Sequence, residues 1–262
     1  MTQSIVIKPN ADVQYVLRLA DTCLIWSHRL SEWCGHAPVL EEDIALANHA
    51  LDLLGQARAL LTRAGQLEGQ GFDEDQLAYL RDEGDFVNVT LAELPNGING
   101  QRDFAFTVLR NFVLSSWALL IWQPLATSRD TELAAIAGKA AKEARYHHEH
   151  AADWVIRLGD GSDESARRMA TALERLWPYT HELFDSDEVD HAAAISGLGP
   201  AWSTLREAWL ADVEAAFAAA ALTLPPESAY RSEAKRGVHT EHMGRLLAEM
   251  QTLQRSYPGG VW

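Results

Sequence analysis

The chain has 262 residues, 47% of them apolar, which suits one large domain or two small ones with a sizeable core and excludes a disordered chain. Its 22 basic residues against 37 acidic ones leave a net charge of −15, a field that repels phosphate backbones and argues against nucleic-acid binding. The two cysteines, Cys23 and Cys34, fall in one predicted helix about 16 Å apart, too far for a disulfide, and suit a reducing cytoplasm.

The periodicity is helical almost throughout. After an N-terminal tail, residues 1–11, a single all-α domain is expected over residues 12–262. A first helix is predicted over residues 12–34, stopped by Gly35 with Pro38 beyond it. A second is predicted over 41–66, where Glu41, Glu42 and Asp43 complement the helix dipole and Ile44, Ala47, Leu51, Leu54 and Leu61 mark an apolar face. Residues 65–75 read as a loop and 82–100 as an irregular excursion broken by Pro95, Gly97 and Gly100. Long helices follow over 101–126 and 130–158, then one over 163–183 after Gly159-Asp160-Gly161. An acidic turn at 185–190 precedes helices over 200–222 and 238–256, separated by Pro225-Pro226. The apolar run at 112–121 is short and interrupted by Ser115 and Ser116, and residues 1–10 lack a long apolar core, so neither a membrane span nor a signal peptide is expected. Four long helices with shorter partners make a bundle with additional short helices. Trp26/Trp33 and Trp202/Trp209, each seven residues apart, read as core or interface stripes rather than a cofactor box.

One stretch comes close to a metal site. Di-iron bundles place Glu-x-x-His on each of two helices and a carboxylate on each of the other two. Here Lys142-Glu143-Ala144-Arg145-Tyr146-His147 puts Ala144 where the carboxylate belongs, and Glu143 is about 100° out of step. The first helix offers Asp21 and Glu32, of which Asp21 follows an apolar stretch; the second offers Asn48 and Leu51 in the Glu-x-x-His register; the third offers only Ser115 beside Ser116. Asp21, Asn48, Leu51, Ser115, Ala144 and His147 therefore read as a vestigial set unable to hold two metals, with Lys142, Arg145 or a water replacing the lost charge. Glu143, His147 and His150 share a face and leave mononuclear zinc open beside solvated or interface histidines. His239-Thr240-Glu241-His242 reads as a helix start with Thr240 as N-cap rather than a ligand cluster.

Several longer blocks carry a family resemblance: Ser31-Glu32-Trp33-Cys34-Gly35-His36-Ala37-Pro38, Asp43-Ile44-Ala45-Leu46-Ala47-Asn48, Leu51-Asp52-Leu53-Leu54-Gly55-Gln56-Ala57-Arg58, Lys142 to His147, His239 to His242 and Leu247-Ala248-Glu249-Met250-Gln251. In this order they span almost the whole chain, and the chain closely resembles the C subunits of 1,2-phenylacetyl-CoA epoxidases, multicomponent monooxygenases of aerobic phenylacetate degradation. The resemblance implies a ferritin-like fold and a non-catalytic, structural role in the cytoplasm. It also implies a homologous catalytic A subunit that carries the di-iron centre, with no cofactor in this chain. A reductase with flavin and iron–sulfur centres would deliver electrons from NADPH, and the complex would epoxidise the ring of phenylacetyl-CoA. Peripheral contact with the CoA ester falls by resemblance at Asp85, Phe86, Val87 and Asn88 and at His191, Ala192 and Ala193, of which Asp85 departs from the uncharged residue expected there. Active oxygenase chemistry with atypical ligands, or a freestanding acyl-CoA-binding protein, are the competing classes.

Overall fold

The computed structural model describes residues 4–8, 10–258 and 260; of the predicted tail, residues 1–3 and 9 lie outside the described residues. Helix α1 (Ala11–Ser31) starts where the Asn10 side chain accepts from the backbone N–H groups of Asp12 at 2.9 Å and Val13 at 3.3 Å. The turn after it ends on Gly35 at φ +76°, the left-handed conformation that glycine adopts freely, so the helix closes a few residues earlier than predicted. Helix α2 (Leu40–Glu68) returns antiparallel, followed by the short α3 (Glu74–Tyr79) and α4 (Thr90–Glu93) and a two-residue hairpin, β1 (Gly97–Ile98) paired with β2 (Gln101–Arg102). Helices α5 (Phe104–Leu125) and α6 (Thr131–Gly159) form the second long hairpin, capped by Asp103 and Asp130. Around these lie α7 (Asp163–Leu176), α8 (Glu188–Ser196), α9 (Arg206–Ala219) and α10 (Glu241–Ser256).

The two hairpins α1/α2 and α5/α6 make the four-helix core. Trp26 Nε1 donates to Asn111 Oδ1 at 2.9 Å and Trp33 Nε1 to Thr107 Oγ1 at 3.1 Å, which sets α1 against α5. Phe104 meets Trp154 at 5.0 Å and Phe112 meets His148 at 5.5 Å between ring centroids, which sets α5 antiparallel to α6. Helix α5 is apolar all round because α6, α7 and α9 pack around it and Trp26 of α1 bonds to its Asn111. It extends well beyond the apolar run at 112–121 and is long and apolar enough to cross a membrane, but 83% of its most apolar window is buried within the bundle. Ten α-helices among the described residues make a ferritin-like arrangement of the all-α class expected, and Trp26, Trp33, Trp202 and Trp209 are all core residues.

Three predicted irregular segments contain short helices. Asp187 makes the acidic turn into an N-cap, accepting from the N–H groups of Val189 and Asp190, so the cluster starts α8. Asp73 does the same for α3, with Gln76 completing a reciprocal capping pair. The apolar face assigned to α2 needs correction: Leu46, His49, Leu53, Gln56 and Leu60 point inward, whereas Ile44 and Leu51 are 54% and 65% exposed. The inward stripe includes His49 and Gln56, polar residues that hide it from an apolar count.

Candidate functional site

Asp21 and His147 are both buried, yet they serve different elements. The Asp21 carboxylate receives two hydrogen bonds from the fully buried Arg81 guanidinium, at 2.5 Å on Oδ1 and 2.9 Å on Oδ2, and Oδ2 also accepts the Val87 N–H at 3.0 Å. Thr22 Oγ1 accepts the Val89 N–H at 3.2 Å, so adjacent residues of α1 hold the backbone of 87–89. The cation beside Asp21 is thus Arg81, not Lys142 or Arg145, both of which are exposed.

His147 Nε2 lies 3.0 Å from Asp52 Oδ2, and its ring is 4.2 Å from that of His49. His150 Nε2 lies 2.9 Å from Glu42 Oε2. Burial pushes the His49 imidazolium down to about 2 and the neighbouring His147 and His150 charges add to it; burial also lowers His147, against the pull of Asp52. Asn48 and Leu51 are exposed, one step off the inward register, and do not join this cluster. Ser115 is buried and donates to Phe112 O of its own helix at 3.2 Å, and Ala144 is buried among apolar groups. The vestigial set is therefore not one cluster; the structure brings together other residues. Cys23 Sγ contacts Gln56 Oε1 at 3.5 Å, and Gln56 Nε2 donates to Glu143 Oε2 at 2.9 Å, linking α1, α2 and α6. Burial, then Glu143 and Asp21, push the Cys23 thiol far up, so it stays protonated and a poor metal ligand. Among the described residues no three His, Cys, Asp or Glu groups gather as a metal site, and this thiol–amide–carboxylate row does not fit a di-iron centre.

The two resemblance-based contact stretches, about a hundred residues apart in the chain, meet at one open groove of about 1,020 Å³. Asp85, Val87 and Ala192 line it. Phe86, Asn88 and Ala193 are buried behind it, and His191 is exposed but outside it. Phe86 lies under Arg81, whose guanidinium carbon is 4.2 Å from the ring centroid. Asn88 Nδ2 donates to Glu93 Oε2 at 2.9 Å. These buried residues shape the wall rather than touch a ligand.

Of the groove's charges only Asp85 is named as a contact from the sequence. Arg18 donates to both Asp187 oxygens, at 2.8 and 2.6 Å, and reaches Asp190 at 3.3 Å. Lys235 Nζ bonds Asp190 Oδ2 at 3.0 Å and Asp185 O at 2.6 Å, and sits 4.2 Å over the Trp202 ring. Burial opposes ionisation of Asp187, but Arg18 and then Lys235 outweigh it and hold the carboxyl far below the usual range. Burial lowers the Lys235 ammonium, with Asp190 opposing. The lining cations Arg18, Lys235 and Arg236 face the lining acids Asp85, Asp187 and Glu188, so the groove carries no surplus positive charge. A signal is present in α1, where Arg18 interrupts the apolar run Tyr15-Val16-Leu17-Leu19-Ala20. The groove also depends on Gly237 (φ +81°), where a Cβ would stand 2.4 Å from Gly84 O.

A second polar network joins Asn88, Glu93, His239 and Thr240. Glu93 accepts from His239 Nδ1 at 2.7 Å, Thr240 N at 2.7 Å and Thr240 Oγ1 at 2.8 Å, in addition to Asn88. His239 Nε2 lies 3.0 Å from Phe86 O. Two acceptors around one imidazole require both ring nitrogens to donate, hence a cation; burial opposes this, but Glu93 raises the imidazolium above its ordinary value. Thr240 is the N-cap of α10, accepting from His242 N.

With this geometry in place, residues 2–262 match the family described as "Phenylacetic acid catabolic protein". The chain belongs to that family. It is 51% identical over 253 residues to the curated C subunit of the 1,2-phenylacetyl-CoA epoxidase of Escherichia coli (strain K12), across 97% of this chain and 100% of that protein. Within the phenylacetic acid catabolic protein family, this chain has a long-helix bundle in which Asp21, Asp52, Gln56, Glu143 and His147 bond to other residues of the chain.

Proposed function

We propose that the chain is a non-catalytic subunit of a 1,2-phenylacetyl-CoA epoxidase, which binds and supports a homologous di-iron catalytic A subunit. One observation carries the reading: Asp21 and His147, the best candidate ligands, are already bonded to Arg81 and Val87 N and to Asp52, and they serve separate clusters. The relative's designation as a C subunit supports membership of such a complex. The partner-facing surface falls on α2 and α6. There Val39 at the start of α2, Leu40, Ile44 and Leu51 on α2 and Tyr146 on α6 are each at least half exposed. In this reading the epoxide-forming chemistry, the iron and the NADPH-linked flavin and iron–sulfur reductase belong to partner subunits. The groove at Asp85, Val87 and Ala192 contacts phenylacetyl-CoA peripherally, because its balanced charges offer no strong cradle for the CoA phosphates.

Co-expression with a catalytic A subunit tests this. A stable hetero-oligomer is expected, with iron assigned by mass and metal measurement to the partner and no epoxidase activity from this chain alone. Two irons per chain in the isolated protein would overturn the proposal in favour of an oxygenase. Micromolar binding of phenylacetyl-CoA by the isolated chain, without complex formation, would favour a freestanding acyl-CoA-binding protein.

A further inference from the structure

We propose that the chain carries a second small-molecule site, for a small aromatic monocarboxylate, in a cavity between the 177–184 turn, α9 and the loop before residue 231. It shares no lining residue with the groove at residues 85, 87 and 192. Its volume is about 320 Å³, in the lower range of ligand pockets. That is larger than the roughly 150 Å³ apolar cavity that admits benzene, leaving room for a ring and a short acidic side chain.

The walls select an aromatic ring. Trp177 and Trp209 stack with centroids 5.8 Å apart and planes 26° apart, and Phe184 lies 5.0 Å from Trp209. Both indole N–H groups point elsewhere: Trp177 Nε1 donates to Pro226 O at 3.2 Å and Trp209 Nε1 to Val113 O at 3.1 Å. The open margins of Trp177 and Phe184, with Trp209 buried against them, therefore bring apolar ring surface and no free donor, and Leu210 and Leu224 complete the apolar lining. Because the Trp177 bond anchors Pro226, the loop over the cavity is held in place.

The rim selects one negative charge. Arg206 lines the cavity, is exposed, and has no hydrogen-bond or ion-pair partner among the described residues. The other rim charges are matched: Asp185 pairs with Arg236 at 2.9 Å and Glu227 with Arg231 at 3.5 Å, while Arg231 also donates to the carbonyls of Ser228 and Tyr230. Both ring nitrogens of His181 are already engaged: Ser232 N donates to its Nε2 at 3.3 Å, and its Nδ1 faces Pro178 O at 2.9 Å. One unmatched guanidinium beside an aromatic box, on a chain of net charge −15, is the complement of a lone carboxylate on an aromatic ring.

Titration calorimetry on the full chain with 3-phenylpropanoate and its neutral amide tests the assignment. Saturable one-to-one binding of the acid is expected, with the amide at least about tenfold weaker, the loss typical of a charge-assisted pair. Arg206→Gln should bring the acid down to the amide's affinity with the melting temperature unchanged, since that side chain has no partner to lose. Leu210→Trp, which fills the cavity, should remove binding of both. Equal affinity for acid and amide, an unaltered acid affinity in Arg206→Gln, binding that survives Leu210→Trp, or no saturable binding at millimolar acid would each overturn it.

Discussion

The seam between α2 and α6 and the wall formed by α1, residues 81–93 and residues 235–240 both bury polar side chains, but they treat them differently. The wall matches nearly every charge with geometry: Arg81 with Asp21, Arg18 and Lys235 with Asp187 and Asp190, His239 with Glu93. The seam holds imidazoles close together, keeps His49 and His147 neutral by burial, and leaves His49 Nε2 without a partner. The wall crosses between elements distant in sequence and positions the groove; the seam lies directly under the exposed apolar residues of α2 and α6. Buried charge held by ion pairs from several elements fixes a shape even though Arg18 Nε and Asp190 Oδ1 lack partners among the described residues, whereas buried neutral imidazoles tolerate change, so substitutions should separate the two regions.

The largest effect is expected at Arg81. Arg81→Met leaves the Asp21 carboxylate buried without its cation and should cost about 3–5 kcal/mol. Urea unfolding of Arg81→Met and of the double variant Asp21→Leu/Arg81→Met checks this. The double variant, with no orphaned charge, should regain most of the loss. If both variants unfold alike, the pair is not the element that fixes the 85–89 segment.

Next comes the exposed face of the seam. Leu51→Asp, at a position 65% exposed, should alter stability by no more than about 0.5 kcal/mol. At the centre of the proposed partner surface the same change should weaken association with the catalytic A subunit by roughly 2 kcal/mol, near thirtyfold. Sedimentation of the co-expressed pair reads the second quantity and melting of the isolated chain the first. Unchanged association would move the interface off α2.

The long helices were legible from their periodicity and from breaks such as Gly35 and Gly159-Asp160-Gly161, and Thr240 is the N-cap expected; the caps Asn10, Asp103 and Asp130 emerge only in the structure, and α2 starts without a side-chain cap. The face of α2 was not, because its buried stripe contains His49 and Gln56 while Leu51 faces outward. An apolar count assumes that outward positions are polar, and the exposed Ile44 and Leu51 break that assumption. The groove was only half legible. Asp85, Val87 and Ala192 came by resemblance, but Arg18, Asp187 and Lys235 are joined only by tertiary packing, and nothing local in the chain links residues 18, 187 and 235. Likewise Arg81 could not be found as the partner of Asp21, sixty residues away.

The two regions should also respond oppositely to pH. His239 has a raised folded-state value, so its contribution is fully present below about 6.5, the unfolded histidine value, and is lost as pH rises through the folded one. His49 and His147 have lowered values, so the unfolded chain takes up protons first, and stability falls as pH drops below about 6.5. His239→Gln should therefore flatten the alkaline side of a plot of urea midpoint against pH, and His49→Leu the acid side. The smallest effect is that of His49→Leu at pH 7.5. It removes a buried ring nitrogen that has no partner and replaces it with an apolar group against the rings of His147, His150 and Tyr146, so it should stabilise the chain by up to about 1 kcal/mol. A loss of more than that would mean the imidazole contributes a bond through solvent, and that the seam is as tightly specified as the wall.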